Sequence, residues 1–352
     1  MADWPRPLRL ALTLLLGIVA GALAERWRVP LPWMIGPLLA TACLGVLGAP
    51  MAASDRLRNI GLWLIGMALG LYFTPQVVQL LLPLAPVVLA AVVWALLMGY
   101  AFYRFLWRLN GGDRASAFFA AAIGGASEMA VLAERHGARV DRVAAAHSLR
   151  VLLVVVLIPV AYQSLGIHGL DASSSNTHSF NLPGLALLLA ASAAGMGLLW
   201  RLGTPNPWVL GALLVTAALS VSGVQLSSLP KAVTNGGQLF IGVALGARFS
   251  PEFARAAPRW LATVALGTLV MIGASAAFAW VLAQFSGLHP ATVLLGTSPG
   301  GIAEMCITAK VLQLGVPVVT VLHVVRYVAV LTLTAPMFRR EMARLGAPQV
   351  RG

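Results

Sequence analysis

Charge and cysteine are both scarce in this chain, and their scarcity excludes several classes of protein. Charged side chains make up 10% of the 352 residues, whereas hydrophobic side chains make up 59%. A soluble domain carries about 25% charged residues, so most of this chain cannot face water. The two cysteines, Cys43 and Cys306, lie in apolar runs without metal-ligand spacing, so neither a disulfide framework nor a zinc site is supported.

What the chain has instead is a series of long apolar runs and an excess of positive charge. Several runs are long enough for helices that cross a bilayer of about 30 Å, which takes about 20 residues. The formal net charge is +13, and such an excess is typical of the cytoplasmic loops of membrane proteins. The longest polar stretch, 166–181, is rich in Ser and Asn rather than basic, so we expect no direct contact with nucleic acid.

The apolar runs are duplicated, because residues 59–150 match residues 235–326 without a gap. Two motifs carry the match, NxG…GxALG…F[TS]P at 59–75 and 235–251 and GG[AI][SA]EM at 124–129 and 300–305, and a third, PWxxG, repeats upstream at 32–36 and 207–211, one residue out of phase. A repeat unit of this length is a duplicated half-protein rather than a solenoid repeat.

The duplication predicts an all-α polytopic membrane protein with two inverted-topology repeats. The repeats are expected at 8–165 and 182–340, with the polar linker 166–181 between them and a cytoplasmic tail at 341–352. Each repeat supplies five spanning helices and one re-entrant or broken hairpin. The ten helices are expected at about 8–24, 31–50, 59–74, 83–103, 144–164, 182–200, 206–224, 236–247, 260–286 and 315–337, and the hairpins at 115–135 and 289–310. Five spans per repeat invert the second repeat and place both termini in the cytoplasm.

Arginines support the inversion, because in each pair of equivalent loops one is basic and the other has no basic residue. The loop after the first GLYFTP has no basic residue, whereas its copy is accompanied by Arg248, Arg255 and Arg259. The stretch before the second hairpin has none, whereas its copy before the first hairpin carries Arg104, Arg108 and Arg114. Basic residues mark the cytoplasmic side, so equivalent loops are expected on opposite sides of the membrane.

Each hairpin contains a glycine break at about half the depth of a bilayer. The two arms around Gly124-Gly125 are each about 14 Å long, and the arms around Ser298-Pro299-Gly300-Gly301 are similar. Such residue pairs break helices, and unpaired backbone at this depth is tolerated where it is buried or lines a wet cavity. The alternative is one glycine-kinked spanning helix in each place.

Two glutamates, Glu128 and Glu304, occupy matching places just past the two breaks. A charged side chain at mid-membrane costs about 2.5–3.5 kcal/mol, so its presence in both repeats indicates use. Two broken helices meeting at mid-membrane are the usual layout of substrate and ion sites in inverted-repeat transporters. Each carboxylate could also cap its own half-helix, and the two roles are compatible.

Arg150 and Arg326 are basic residues well inside predicted spans, and each follows a histidine by three residues. An intramembrane arginine normally pairs with a carboxylate, so we expect the pairs Glu128–Arg150 and Glu304–Arg326. Such a pair would either fix the hairpin against the helix or contact an anionic substrate. The candidate substrate or ion site comprises Gly124, Gly125, Ser127, Glu128, Arg150, Gly300, Gly301, Glu304 and Arg326. Secondary candidates are His147, His323, and Asn59 and Asn235, the expected N-caps of the third helix in each repeat.

The duplicated motifs resemble those of the bacterial AbrB membrane family over about residues 8–340. The resemblance implies a multi-pass protein of the bacterial inner membrane, related to the cation/proton antiporter and anion transporter superfamily. The family carries the labels of a regulator of gene expression and of an ammonia monooxygenase, without catalytic residues that could be carried over.

These observations predict a transporter-like protein that moves or binds a small solute. The arginines indicate an anion, and the paired glutamates indicate coupling to H⁺ or Na⁺. A membrane regulator that senses a ligand and acts through a partner is the alternative. Monooxygenase chemistry needs clustered histidines and carboxylates, which the six scattered histidines do not offer, so no enzyme activity, cofactor or metal is expected. The expected partners are the lipid bilayer, the solute and H⁺ or Na⁺; a homodimer is left open.

Overall fold

The computed structural model describes residues 4–169, 180–224, 226–251, 253 and 257–345. The predicted polar linker therefore lies mostly outside the described residues. The described residues form α-helices and one short 3-10 helix, with no β-strand among them. The helices are α1 Arg6–Arg26, α2 Pro32–Val46, α3 Asp55–Gly70, α4 Pro75–Leu81, α5 Ala85–Asn110, α6 Arg114–Ala121, α7 Ala126–Arg135, α8 Val140–Ser164, α9 Leu182–Arg201, α10 Pro207–Val221, α11 Lys231–Gly246, α12 Pro258–Ser286, α13 Pro290–Thr297, α14 Ile302–Val311 and α15 Val316–Arg344.

Six helical segments are long and apolar enough to cross a membrane, judged on length and composition. They are Arg6–Arg26, Pro75–Asn110, Val140–Ser164, Leu182–Arg201, Pro258–Ser286 and Val316–Arg344. The helices α2 and α10 are apolar as well but shorter. The expected class, an all-helical membrane protein, is therefore supported.

The chain divides into two compact units, and the first contains α1–α4, α9–α11 and most of α14. Within this unit, the helix pairs of the two repeats correspond. The helix α1 packs on α2, and the equivalent α9 packs on α10; α2 also packs on α11, and the equivalent α10 packs on α3. Glycine permits these close approaches: a Cβ on Gly66 would lie 2.4 Å from the Val209 carbonyl oxygen, and one on Gly242 would lie 2.5 Å from that of Met34. Small residues at helix interfaces are typical of membrane bundles.

The starts of four helices in this unit test predictions about capping. The Pro-Trp motifs open α2 and α10, each after a left-handed residue, Leu31 and Asn206. Proline suits the first helical turn because its missing N–H would have no partner there. The prediction that Asn59 and Asn235 are N-caps is wrong, because α3 begins at Asp55 and α11 begins at Lys231. Both asparagines lie in the second turn, since the polar residues before them continue the helix.

The second unit contains α5–α7, most of α8, α12, α13 and most of α15. Its core is rich in aromatic rings around Phe118, with Tyr103 and Phe338 at centroid distances of 5.2 and 5.3 Å. Both predicted breaks are real interruptions of the helix. The helix α6 ends at Ala121 and α7 begins at Ala126, whereas α13 ends at Thr297 and α14 begins at Ile302. The alternative of a continuous kinked helix is therefore excluded.

Candidate functional site

The first break is held by Arg150, which lies on α8 and is 2% exposed. Its guanidinium donates to the carbonyl oxygens of Ala120 at 3.2 Å and Ala122 at 2.9 Å, and more weakly to that of Ala121. A helix that ends at Ala121 leaves its last carbonyls without intrahelical donors. Arg150 supplies those donors, and its positive charge also meets the negative end of the helix dipole.

The second break repeats this arrangement at matching positions. Arg326, on α15, donates to the carbonyl oxygens of Ser298 at 2.5 Å and Gly300 at 2.7 Å. Here the guanidinium spans Pro299, so it holds carbonyls on both sides of the residue that interrupts the chain. The arginine predicted as a site residue thus fixes backbone geometry in each hairpin.

A histidine one turn earlier completes each arrangement. The Nδ1 atom of His147 lies 2.8 Å from Arg150 and that of His323 lies 2.7 Å from Arg326. Arginine can only donate, so each Nδ1 accepts and the proton sits on Nε2. The Nε2 atoms then donate to the carbonyls of Phe119 at 3.0 Å and Leu295 at 2.8 Å. We call the two pairs, His147–Arg150 and His323–Arg326, the Arg–His clamps.

The expected ion pair between Glu128 and Arg150 is not formed. Between described side chains, the ion pair that the structure contains is Arg139–Asp141, at 2.8 Å on the surface. That contact raises the pKa of Arg139, through the hydrogen bond to Asp141 and its charge. The two terminal nitrogens of Arg150 donate to carbonyls instead, because a broken helix offers several strong acceptors in one place. The positive charge of Arg326 acts on Arg150, which places the two clamps within electrostatic range.

Glu128 folds back over the first break. Counted from the N-cap residue Gly125, it is the third residue of α7, the position from which a carboxylate reaches back to the start of its own helix. A Cβ on Gly125 would lie 2.0 Å from the Glu128 Oε2 and 3.2 Å from the ring of Tyr327. The carboxylate thus occupies the space that glycine leaves. Glu128 is half-buried, and the neighbouring Ser127 is exposed.

Glu304 takes the equivalent place in α14 but is 9% exposed. Its charge acts on Arg248, and the charges of Arg58 and Asp55 also act on that guanidinium. Burial lowers the pKa of Arg248 and the positive charge of Arg58 lowers it further, whereas Glu304 and Asp55 oppose both effects. A buried carboxylate therefore stands near two arginines of the first unit.

Arg58, Arg248 and Tyr327 were not among the predicted site residues. Alignment of the two repeats could have indicated the arginines, since Arg248 aligns with Tyr72 and Arg58 aligns with Thr234. A charge present in one repeat and absent from the other marks a place where the two hairpins have different surroundings. Arg58 also lies 3.5 Å from the side-chain oxygen of Asn59, so this secondary candidate adjoins the same cluster.

Taken over the described residues, no group of three or more His, Cys, Asp and Glu side chains converges as a metal site would require. Cys43 is exposed and Cys306 is buried. The candidate residues therefore belong to two interrupted helices, each with its own Arg–His clamp and its own glutamate, as in a helical membrane protein with paired broken hairpins.

Comparison with known proteins gives the family. Residues 33–341 match the family model described as "Transition state regulatory protein AbrB", so the chain belongs to the AbrB family. It is 27% identical over 341 residues to a Bacillus subtilis (strain 168) protein named "Uncharacterized protein YhjN", covering 88% of this chain and 87% of the relative. It is 27% identical over 337 residues to an Escherichia coli (strain K12) protein named "Putative regulator AbrB", covering 94% of each.

Proposed function

We propose that the chain is a secondary transporter that moves a small anionic solute coupled to H⁺ or Na⁺. The observation that carries the proposal is that both hairpins are broken at matching places and keep a glutamate at the start of the second arm. Because the Arg–His clamps already satisfy the carbonyls of the first arms, the N-terminal ends of α7 and α14 remain as the polar features of the breaks. Half-helix N-termini are the usual substrate-facing groups in such transporters.

The anionic class follows from the charges around these ends. Helix N-termini carry partial positive charge and favour anions. Arg58 and Arg248 add two positive charges within electrostatic range of Glu304. A carboxylate among these groups could bind a proton or a sodium ion when the solute arrives, which would couple the two movements. The clamp arginines have no such role in this proposal, because their guanidinium groups hold the backbone.

The proposal includes two inverted repeats with about ten spans, and the matched helix contacts of the first unit support that architecture. Trp27 and Leu202 occupy equivalent places and are 73% and 66% exposed, so each is suited to labelling. In a cysteine-free background, we expect Trp27→Cys to react with an impermeant maleimide from the periplasmic side and Leu202→Cys from the cytoplasmic side. Reaction of both from one side would refute the inversion.

Flux measurements in reconstituted vesicles test the transport proposal. Vesicles containing trapped pyranine would report internal pH after addition of succinate, malate, citrate or phosphate, with and without a sodium gradient. We expect at least one of these anions to move protons or to respond to sodium. Glu128→Gln and Glu304→Gln keep the shape of the side chain but remove its charge, so both variants should lose the coupled flux.

Glu134→Gln is the matched control, because Glu134 is an exposed residue in the last turn of the same helix α7. It should transport at the wild-type rate. Unchanged coupled flux in both Glu128→Gln and Glu304→Gln would reduce the two glutamates to helix caps. Absence of flux with every anion, together with ligand-dependent thermal stabilisation, would favour a sensor.

The second candidate function is that of a membrane-embedded regulator of gene expression. The family description and the name of the Escherichia coli relative favour it. A sensor would use the same glutamates to bind its ligand and would pass the signal to a partner protein. Ligand binding without net flux in the vesicle experiment separates this function from transport.

A further inference from the structure

A groove in the second unit runs between α5, α6 and α15, and its inner end reaches Ala122, whose carbonyl oxygen accepts from Arg150. Its outer part is a cavity of about 320 Å³, within the range of about 300–1,000 Å³ that is usual for ligand pockets. Four residues line both this cavity and a narrower inner one: Leu96, Tyr100, Phe118 and Met337. The inner cavity extends to Gly99 and Ile123, has a volume of about 20 Å³ and adjoins the outer cavity at these four residues, so that together they outline an apolar groove.

The rim of this groove opens toward the surroundings of the helix bundle. Leu97 lines the outer cavity and is 61% exposed. It continues a stripe with Leu89 and Val93, which are 65% and 47% exposed and lie four residues apart on the same face of α5. In a membrane-spanning helix such a stripe faces the lipid hydrocarbon, so an acyl chain can enter from the side.

The end of the groove is positively charged. Arg340, Glu341 and Arg344 line it from the last turns of α15. The Tyr100 hydroxyl donates to the Glu341 carboxylate, with oxygen separations of 3.3 and 3.4 Å, and Glu341 is 7% exposed. Both arginines are exposed. The carboxylate is thus held inward while the two guanidinium groups face outward.

We propose that this groove binds an anionic phospholipid, with one acyl chain along α5 and α15 and the phosphate between Arg340 and Arg344. The apolar walls match a hydrocarbon chain, and basic pockets between membrane helices are suited to anionic headgroups. A free anion would leave the apolar length of the groove unused. A zwitterionic lipid would gain little from the two arginines. The proposal is independent of transport.

Binding of tail-labelled fluorescent phosphatidylglycerol and phosphatidylcholine to the delipidated full-length protein in neutral detergent tests the proposal. Each arginine near a headgroup contributes about 1 kcal/mol, so the wild type should bind phosphatidylglycerol about thirtyfold more tightly. The double variant Arg340→Gln/Arg344→Gln should lose most of that preference. The control Arg6→Gln/Arg201→Gln removes two exposed charges at helix ends of the first unit and should keep it.

Gly99→Leu tests the apolar part of the groove. A Cβ on Gly99 has its nearest neighbour, the Ala121 carbonyl oxygen, at 3.7 Å, so a first side-chain carbon fits, whereas the rest of a leucine exceeds the inner cavity and takes up space at the groove's inner end. This variant should bind both long-chain lipids at least about tenfold more weakly while keeping the helical content of the wild type, measured by circular dichroism. Equal affinity of the wild type for the two lipids, retained preference in the arginine double variant, wild-type binding by Gly99→Leu, or displacement of the probe by inorganic phosphate would each overturn the proposal.

Discussion

The two hairpins come from one duplicated sequence, yet they have different surroundings. In the first, α7 buries only Met129 and Ala133, and Ser127 is exposed at its start. In the second, residues 302–309 are all buried, including Glu304. A helix that is buried on all faces needs fewer polar side chains, and α14 has Ala303 where α7 has the exposed Ser127.

The difference shows which features the duplicated motif fixes and which depend on context. The break, the Arg–His clamp and the third-residue glutamate are common to both hairpins. The exposure of the glutamate differs between the two hairpins. The residue that caps the first arm differs as well, since Asp113 caps α6 and His289 caps α13. The backbone of the site is therefore conserved between the repeats, whereas the charge environment of each glutamate is individual.

Removal of a clamp arginine should have the largest effect of the changes that probe this comparison. Arg326→Met would leave two buried carbonyls without donors, at a cost of about 3 kcal/mol. Arg150→Met should cost less, because its carbonyls all belong to one arm, whereas those of Arg326 lie on both sides of Pro299. Thermal unfolding in detergent would measure both, with exposed Arg201→Met as the control. Equal losses for the two clamp variants would contradict this difference between the breaks.

Adding a methyl group at the first break should have an intermediate effect. Gly125→Ala would bring Cβ to 2.0 Å from the Glu128 Oε2, so the carboxylate must leave its place, at about 1–2 kcal/mol in stability. The coupled flux of this variant should fall as well, because the carboxylate has moved. Gly124→Ala is the matched control, since its Cβ would meet the side chain of Met129, with the terminal methyl at 3.0 Å, and not the Glu128 carboxylate. Similar flux in the two variants would show that the position of Glu128 over the break is unimportant.

Exchange of one residue between the hairpin ends should have the smallest effect. Gln313 stands at φ +54° after α14, and its equivalent after α7 is Gly137 at φ +67°. A side chain in the left-handed region costs about 1 kcal/mol, so Gln313→Gly should raise the melting temperature and Gly137→Gln should lower it. Chemical or thermal unfolding of both variants would check the opposite signs. A change of the same sign in both would mean that the two turns differ beyond this residue.

Much of the site was predictable from the repeat, and the reasons for the rest are physical. Gly124 and Gly300 marked the breaks because chain-breaking residues interrupted apolar runs in both halves. The predicted Glu128–Arg150 pair is wrong because the broken helix frees carbonyls, and these take the place of a carboxylate as partners of the arginine. The burial of Glu304 and the nearby charges of Arg58 and Arg248 could not be predicted, since both result from the packing of segments that are distant in sequence. The helices α3 and α11 begin earlier than predicted, at Asp55 and Lys231, because the charged residues before the apolar runs belong to these helices.

The span of the Arg–His clamps along the chain has a consequence for biosynthesis. Each of four clamp hydrogen bonds joins residues 28 positions apart. Closing so short a loop is entropically cheap, and its contacts form early compared with those between distant segments. Each hairpin with its following helix can therefore assemble while the ribosome is still extending the chain. The first hairpin and the helix that follows it would then be assembled before the second half of the chain is synthesised. The second hairpin would fold in a membrane that already contains the first one.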